Sequence, residues 1–366
     1  MLKYFLLTAM LCVGQVFNAV AEQLRMGVVG MSHGHIVWVL KTMGKQEEVK
    51  FVGFVESNRP FARQLCEKYN IDTALIYPSM QAMYDAQKPD AVCAFNAPSE
   101  HEAVVDFFAP KGVDVMVEKP LATNYKSALR MQEKAQKHGI LLYTNYETSW
   151  YPSTYFVKEQ LAQNPEDAPF KFVMNYGHHG PAKLNLSKPF LEILNSPTRN
   201  GGGAVVDFGC YGANIMSWMM NGQAPLSVYA ETRNYQQESY PEVDDDALIV
   251  LDYGTVQAVI QASWNWPINR KEMMVYRRDS ELHAVDALTV NERERRPRKT
   301  EQHTFEKNQM INPFSHFAAV RRKEITAEEF ALYSTENNVL TCKILDMARK
   351  SAQEGRKILW EQDAKL

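Results

Sequence analysis

The chain has 366 residues, of which 45% are hydrophobic and 23% charged, and its formal net charge is −3. This is the composition of a globular protein, and the length suits two domains. The near-neutral balance excludes a basic footprint for nucleic acid and a polybasic membrane patch.

Residues 1–21 stand apart. Lys3 is followed by an apolar stretch and then by Ala19-Val20-Ala21, the pattern of a secretory signal with small residues at its cleavage point. A buried first helix or strand is the competing reading. The signal reading predicts an exported, periplasmic protein that starts at Glu22 and keeps no stable membrane insertion after cleavage. Cys12 follows Leu11 rather than a small residue, which argues against a lipoprotein anchor, and no later apolar run is long enough to cross a bilayer. Cys66, Cys93, Cys210 and Cys342 are widely scattered and read as buried thiols, not as disulfides or zinc ligands.

From Leu24 onward strand and helix patterns alternate. Residues 24–30 form an apolar strand and 35–43 are apolar at helical spacing. A second strand over 49–56 ends at Glu56, and a helix opens near Pro60. A short strand and helix occupy 74–87, and 89–98 make a strand, 100–112 a helix and 113–120 a strand. A helix over 125–139 stops at Gly139, and 140–146 are the last strand of the series. Such alternation predicts α/β architecture with a doubly wound parallel sheet. Ligands of these sheets lie beyond the carboxyl ends of the strands, where Ser32, His33, Glu56, Asn96, Glu118, Lys119 and Asn145 fall.

The first turn, Gly30-Met31-Ser32-His33-Gly34-His35, is a partial dinucleotide fingerprint. Gly30 matches, Ser32 and His35 stand where further glycines belong, and Gly34 supplies flexibility one residue early. Glu56 is placed to bond a ribose 2′-hydroxyl and to repel a 2′-phosphate, which favours NAD over NADP; Arg59 nearby is the residue that would accept that phosphate. His33 and His35 lack the spacing of a zinc pair, so no metal is expected.

With GVVGMSHGH, VGFVES, SEHEAVV and VEKPLATN in this order, the chain resembles the Gfo/Idh/MocA oxidoreductase family, including its glucose-fructose oxidoreductase type. The resemblance covers nearly all of the mature chain. It implies a Rossmann domain over 22–146 and a second α/β domain over 147–366, with a large, mostly antiparallel sheet and a last helix that packs back on the first domain. It implies Lys119 as the active-site lysine, Asp207 as the family aspartate, and Tyr211 where many members have histidine. A homo-oligomer, dimer or tetramer, is a further implication.

Read from the residues, Asp207 and Tyr211 are four apart on one predicted helix after the glycine run 201–203. Lysine, carboxylate and phenol form a relay for a hydroxyl proton, and a lysine cation favours the phenolate as base. Glu118 is expected to hold Lys119. Asn145, Tyr146, His178 and His179 are the candidate contacts to a sugar substrate, together with Lys119, Asp207 and Tyr211. The strand pattern at 261–267 places Ser263 and Asn265 on one face and Trp264 and Trp266 on the other. Asp244-Asp245-Asp246 reads as a solvated strand start, and the charged stretch 291–302 as an exposed hairpin or loop.

The expected function is NAD-dependent oxidation or reduction at a secondary alcohol of a sugar or polyol. The alternatives are an NAD-cycling glycosidase, working by oxidation, elimination, addition and reduction, and a non-catalytic NAD- or sugar-binding protein.

Overall fold

The computed structural model describes residues 22–361. The signal reading falls on residues 1–21 and lies outside them; no helix among the described residues is long and apolar enough to cross a membrane.

Six short apolar runs make the first sheet: β1 (Leu24–Val29), β2 (Val49–Val55), β3 (Ile76–Tyr77), β4 (Ala91–Ala94), β5 (Asp114–Glu118) and β6 (Leu142–Asn145). All pair in parallel, in the order β3-β2-β1-β4-β5-β6. Both faces are covered, which is why the strands read as unbroken apolar runs rather than as alternating ones. The connecting helices are α1 (Ile36–Thr42), α2 (Arg59–Lys68), α3 (Met80–Gln87), α4 (His101–Phe108) and α5 (Tyr125–His138). Their ends follow local chemistry: Asn58, Ser79 and Asn124 accept amide hydrogens at the starts of α2, α3 and α5, and left-handed Gly139 ends α5.

The second domain opens with α6 (Pro152–Gln163) and β7 (Pro169–Gly177), followed by α7 (Lys188–Leu194), α8 (Ala204–Asp207) and α9 (Gly209–Met219). The strands β8 (Ser227–Arg233), β9 (Asp246–Asp252), β10 (Gln257–Ser263), β11 (Arg270–Arg277), β12 (Ser280–Asp286), β13 (Thr289–Glu294) and β14 (Lys299–Thr304) come next. Helices α10 (Pro313–Arg321) and α11 (Thr335–Glu354) and the short β15 (Ile358–Leu359) close the chain. The nine-stranded sheet runs β14-β13-β12-β11-β7-β10-β9-β8-β15, antiparallel except where β10 lies parallel to β7. Burial alternates along β9 and β10, because α8, α9 and α11 cover one face and leave the other half-exposed. Helix α11 also packs on α5, and its Cys342 joins the core of the first domain. All four described cysteines are free and buried.

Three local expectations change. The aspartate triplet is not a solvated strand start: Asp245 is fully buried and accepts the amides of Tyr235 and Gln236, while Asp244 accepts those of Gly203 and Val205. Burial is affordable for these carboxylates because each receives two backbone hydrogens. The face alternation at 263–266 fails because β10 ends at Ser263; Trp264 then turns into the core and Trp266 lies against Arg270. The single helix after the glycine run is broken at Phe208, which separates α8 from α9. The charged stretch 291–302 is an exposed hairpin of β13 and β14, as its composition implied.

Candidate active site

A parallel sheet brings the ends of all its strands to one edge. The first turn follows β1, and Gly30 adopts φ +77° there. A side chain at this position would strike Asn96, whose Cβ lies 2.5 Å from where a Cβ would stand, so the backbone stays bare. Glu56 supports the turn by accepting the amides of Met31 at 2.7 Å and Asn58 at 2.9 Å. A cleft of about 480 Å³ runs over this turn, lined by Gly30, Ser32, Glu56 and Asn96 from the first domain and by Pro189, Glu192 and Arg199 from the second. The buried Asn96 Oδ1 has no partner within the protein. A bare glycine turn, a strand-end carboxylate and an orphaned acceptor in one cleft fit a dinucleotide.

The next residues of the turn, His33 and Gly34, line a second cavity of about 250 Å³, on whose surface Lys119, Asp207, Tyr211, His178 and His35 also come together. Lys119 is buried at 6% exposure and donates to the Asp207 carboxylate at 2.5 Å and to its carbonyl at 2.8 Å. Burial alone would lower the lysine and raise the aspartate. Their mutual attraction prevails, so the Lys119 ammonium sits above its ordinary range and the Asp207 carboxyl below. The second Asp207 oxygen accepts the Trp264 indole hydrogen at 2.9 Å. The start of α8, the short helix that ends at this aspartate, is itself fixed. Gly203 precedes α8 with its Cα against Asp244, where a Cβ would meet the Asp244 carbonyl oxygen at 1.8 Å, and Asp244 holds the amides at the helix start.

Tyr211 packs edge-on to Tyr146 at 5.6 Å and near Tyr176 at 5.7 Å. The Lys119 ammonium stands 5.1 Å from its ring centre. The expectation that this cation favours phenolate does not hold. Burial, with Glu147, Cys210 and Asp207 adding to it, pushes the phenol well above its ordinary range. Held above its ordinary range, the phenol keeps its hydrogen at neutral pH.

Glu118 does not hold Lys119 directly. It is 1% exposed and receives His35 Nδ1 at 2.9 Å and Asn145 Nδ2 at 2.5 Å, its in-register neighbour on β6. Asn145 in turn accepts the Trp150 indole at 2.8 Å. Burial would raise Glu118, but the His35 and His33 rings and these hydrogen bonds take it down to about 2. His33, His35 and Glu118 are close enough together to resemble a metal triad. Within the trio His33 Nδ1 accepts the His35 amide and Glu118 accepts the His35 ring hydrogen. Burial keeps His33 neutral, at about 3. We read the trio as a hydrogen-bonded floor under the cavity.

The remaining candidates divide. His178 reaches the cavity, neutral because burial brings it down to about 4, and its Nδ1 accepts the Gly180 amide, so Nε2 carries the proton. His179 does not line the cavity and lies against His178. Tyr146 and Asn145 stand behind the lining and support it. Sequence reasoning missed Lys271 from β11, Arg199 before the glycine run, and the apolar wall of Leu184, Leu186, Phe190 and Phe208. Of these only Arg199 carried a signal, since it precedes the three glycines.

Residues 24–146 match the family model for the oxidoreductase family with an NAD-binding Rossmann fold, and residues 157–282 match that for the Gfo/Idh/MocA C-terminal domain. The chain belongs to the Gfo/Idh/MocA oxidoreductase family. Among its curated relatives is trans-1,2-dihydrobenzene-1,2-diol dehydrogenase of Oryctolagus cuniculus, 26% identical over 227 residues that span 61% of this chain and 63% of the rabbit protein. The Sus scrofa protein of the same name is 25% identical, over 66% of this chain and 68% of its own. The fold is shared with an inositol dehydrogenase homolog from Azotobacter vinelandii solved with NAD+ (TM-score 0.79, 14% identity, 93% and 98% of the two chains). It is also shared with aldose-aldose oxidoreductase from Caulobacter crescentus, complexed with glycerol (TM-score 0.75, 17% identity, 92% and 100%). This Gfo/Idh/MocA protein is therefore an NAD-binding oxidoreductase, with a parallel Rossmann sheet and a mostly antiparallel second sheet.

Proposed function

We propose that the protein moves a hydride between NAD and a secondary alcohol of a sugar or polyol. The observation that carries this reading is the buried Lys119–Asp207 ion pair beside the Tyr211 phenol, in a cavity that adjoins the dinucleotide cleft. The diol, inositol and aldose substrates in the names of relatives and structural neighbours support it.

When bound, the dinucleotide supplies the hydride acceptor. The chain's own part is the proton. Lys119, once its ammonium has released a proton to solvent, takes the hydroxyl proton as the alcohol becomes a ketone, and the Asp207 carboxylate stabilises the ammonium that re-forms. Tyr211 donates to the same substrate oxygen, and Trp264 keeps Asp207 aligned. Reduction runs the same transfers backwards. The half-exposed face of the nine-stranded sheet supports association into a homo-oligomer.

The test is to incubate the protein with NAD and a panel of free sugars, polyols and aryl glycosides while following nicotinamide absorbance. NADH that accumulates with a free sugar or polyol supports the reading. Aryl release without net NADH would replace it with the NAD-cycling glycosidase, and silence throughout with NAD bound would leave a binding protein. Cofactor choice is a separate expectation: calorimetric titration should give NAD roughly tenfold tighter binding than NADP, because Glu56 opposes a 2′-phosphate. Tighter NADP would shift the assignment to Arg59.

A further inference from the structure

The cavity holds a second ammonium that the proton transfer above does not use. Lys271, from the start of β11, lines the cavity with its Nζ 5.4 Å from the Tyr211 ring centre, close to the 5.1 Å of Lys119. It is held there by Glu147. Glu147 is fixed in turn by the Tyr151 hydroxyl, and both come from the segment that leads out of the last Rossmann strand. The Lys271 and Glu147 side chains are 26% and 29% exposed. Tyr211 is therefore served by two amine–carboxylate pairs, Lys119–Asp207 and Lys271–Glu147.

We propose that Lys271 is the substrate-recognition residue for a second hydroxyl of a neutral polyol, beside the hydroxyl that reacts. This rests on the alcohol-oxidising reading. An ammonium has three hydrogens, and Glu147 takes one, which leaves donors for the cavity. The partner also selects the ligand class. A lysine already neutralised by a carboxylate offers little net charge to an anion, whereas a donor next to an acceptor matches a hydroxyl. Leu184, Leu186, Phe190 and Phe208 add apolar surface to the same lining, which suits the apolar face of a ring. The arrangement thus favours a neutral ring with two neighbouring hydroxyls over a sugar acid or a simple alcohol.

The experiment is calorimetric titration of the NAD-loaded protein, in wild type, Lys271→Met and Lys271→Arg, with myo-inositol, methyl glucosides and their singly deoxygenated forms, and with glucuronate. For wild type, one deoxygenation should weaken binding roughly ten- to a hundredfold. Lys271→Met should weaken the intact ligand by a similar factor and make that same deoxygenation nearly silent. Lys271→Arg, which keeps a donor, should restore part of the loss. Additive losses from the two changes overturn the proposal, as does a Lys271→Met protein that binds every ligand like wild type. A larger loss for glucuronate than for neutral ligands overturns the ligand class. Deoxygenation-dependent binding without turnover would leave Lys271 in place and remove the alcohol-oxidising reading instead.

Discussion

Lys119→Ala is expected to lower turnover by roughly 10²–10⁴, the range for a proton-transfer group. It is also expected to destabilise the fold, which its position in the sequence did not suggest. A charged residue at a strand end reads as a small contributor to the core, yet Lys119 is buried and bonded to a buried carboxylate. Removing it leaves Asp207 ionised among Phe208, Trp264 and Cys210, at a cost of about 3–5 kcal/mol. Combining Lys119→Ala with Asp207→Asn removes the orphaned charge, so the double variant should recover most of the thermal midpoint and none of the turnover. Thermal unfolding and nicotinamide absorbance, measured on the single and double variants, separate the two effects. Unaltered turnover in Lys119→Ala would remove the lysine from the mechanism, and an unaltered midpoint would contradict the buried pair.

Tyr211→Phe should act on rate alone. The phenylalanine ring keeps the contacts to Tyr146, Tyr176 and Phe208, all within 5.9 Å between ring centres, and loses only the hydroxyl. Stability should change by less than about 1 kcal/mol, while turnover falls by roughly 10²–10³ through loss of a donor to the substrate oxygen. The pH profile distinguishes the two roles open to a phenol. A resting phenolate base would make oxidation climb with pH into the ordinary tyrosine range, and Tyr211→Phe would flatten that climb. Because burial and then Glu147 push the phenol well above that range, wild type should show no such limb. A limb that disappears in Tyr211→Phe would restore the base assignment, and a fully active variant would take Tyr211 out of the reaction.

The alternation of apolar runs with helical periodicity was enough, in the sequence alone, to specify the Rossmann half. Each βαβ unit is made by neighbouring residues, and parallel pairing then places Ser32, Glu56, Asn96, Glu118, Lys119 and Asn145 on one edge. Gly30 and Glu56 were legible for the same reason, since turn and strand end are local features. Lys119, Asp207 and Tyr211 were legible through the motifs around them. What those residues are bonded to was decided only in three dimensions. Glu118 pairs with His35 rather than Lys119, because the first turn folds over the end of β5. The Tyr211 phenol lies above its ordinary range, because desolvation outweighs a nearby cation and desolvation has no sequence pattern. Trp264, Asp244 and Lys271 reach the site from the second sheet, across strand pairings that join residues far apart in the chain. In β11 the lysine looks like any polar residue at a strand start; it becomes a cavity cation only because Glu147 and Tyr211, from other elements, close around it.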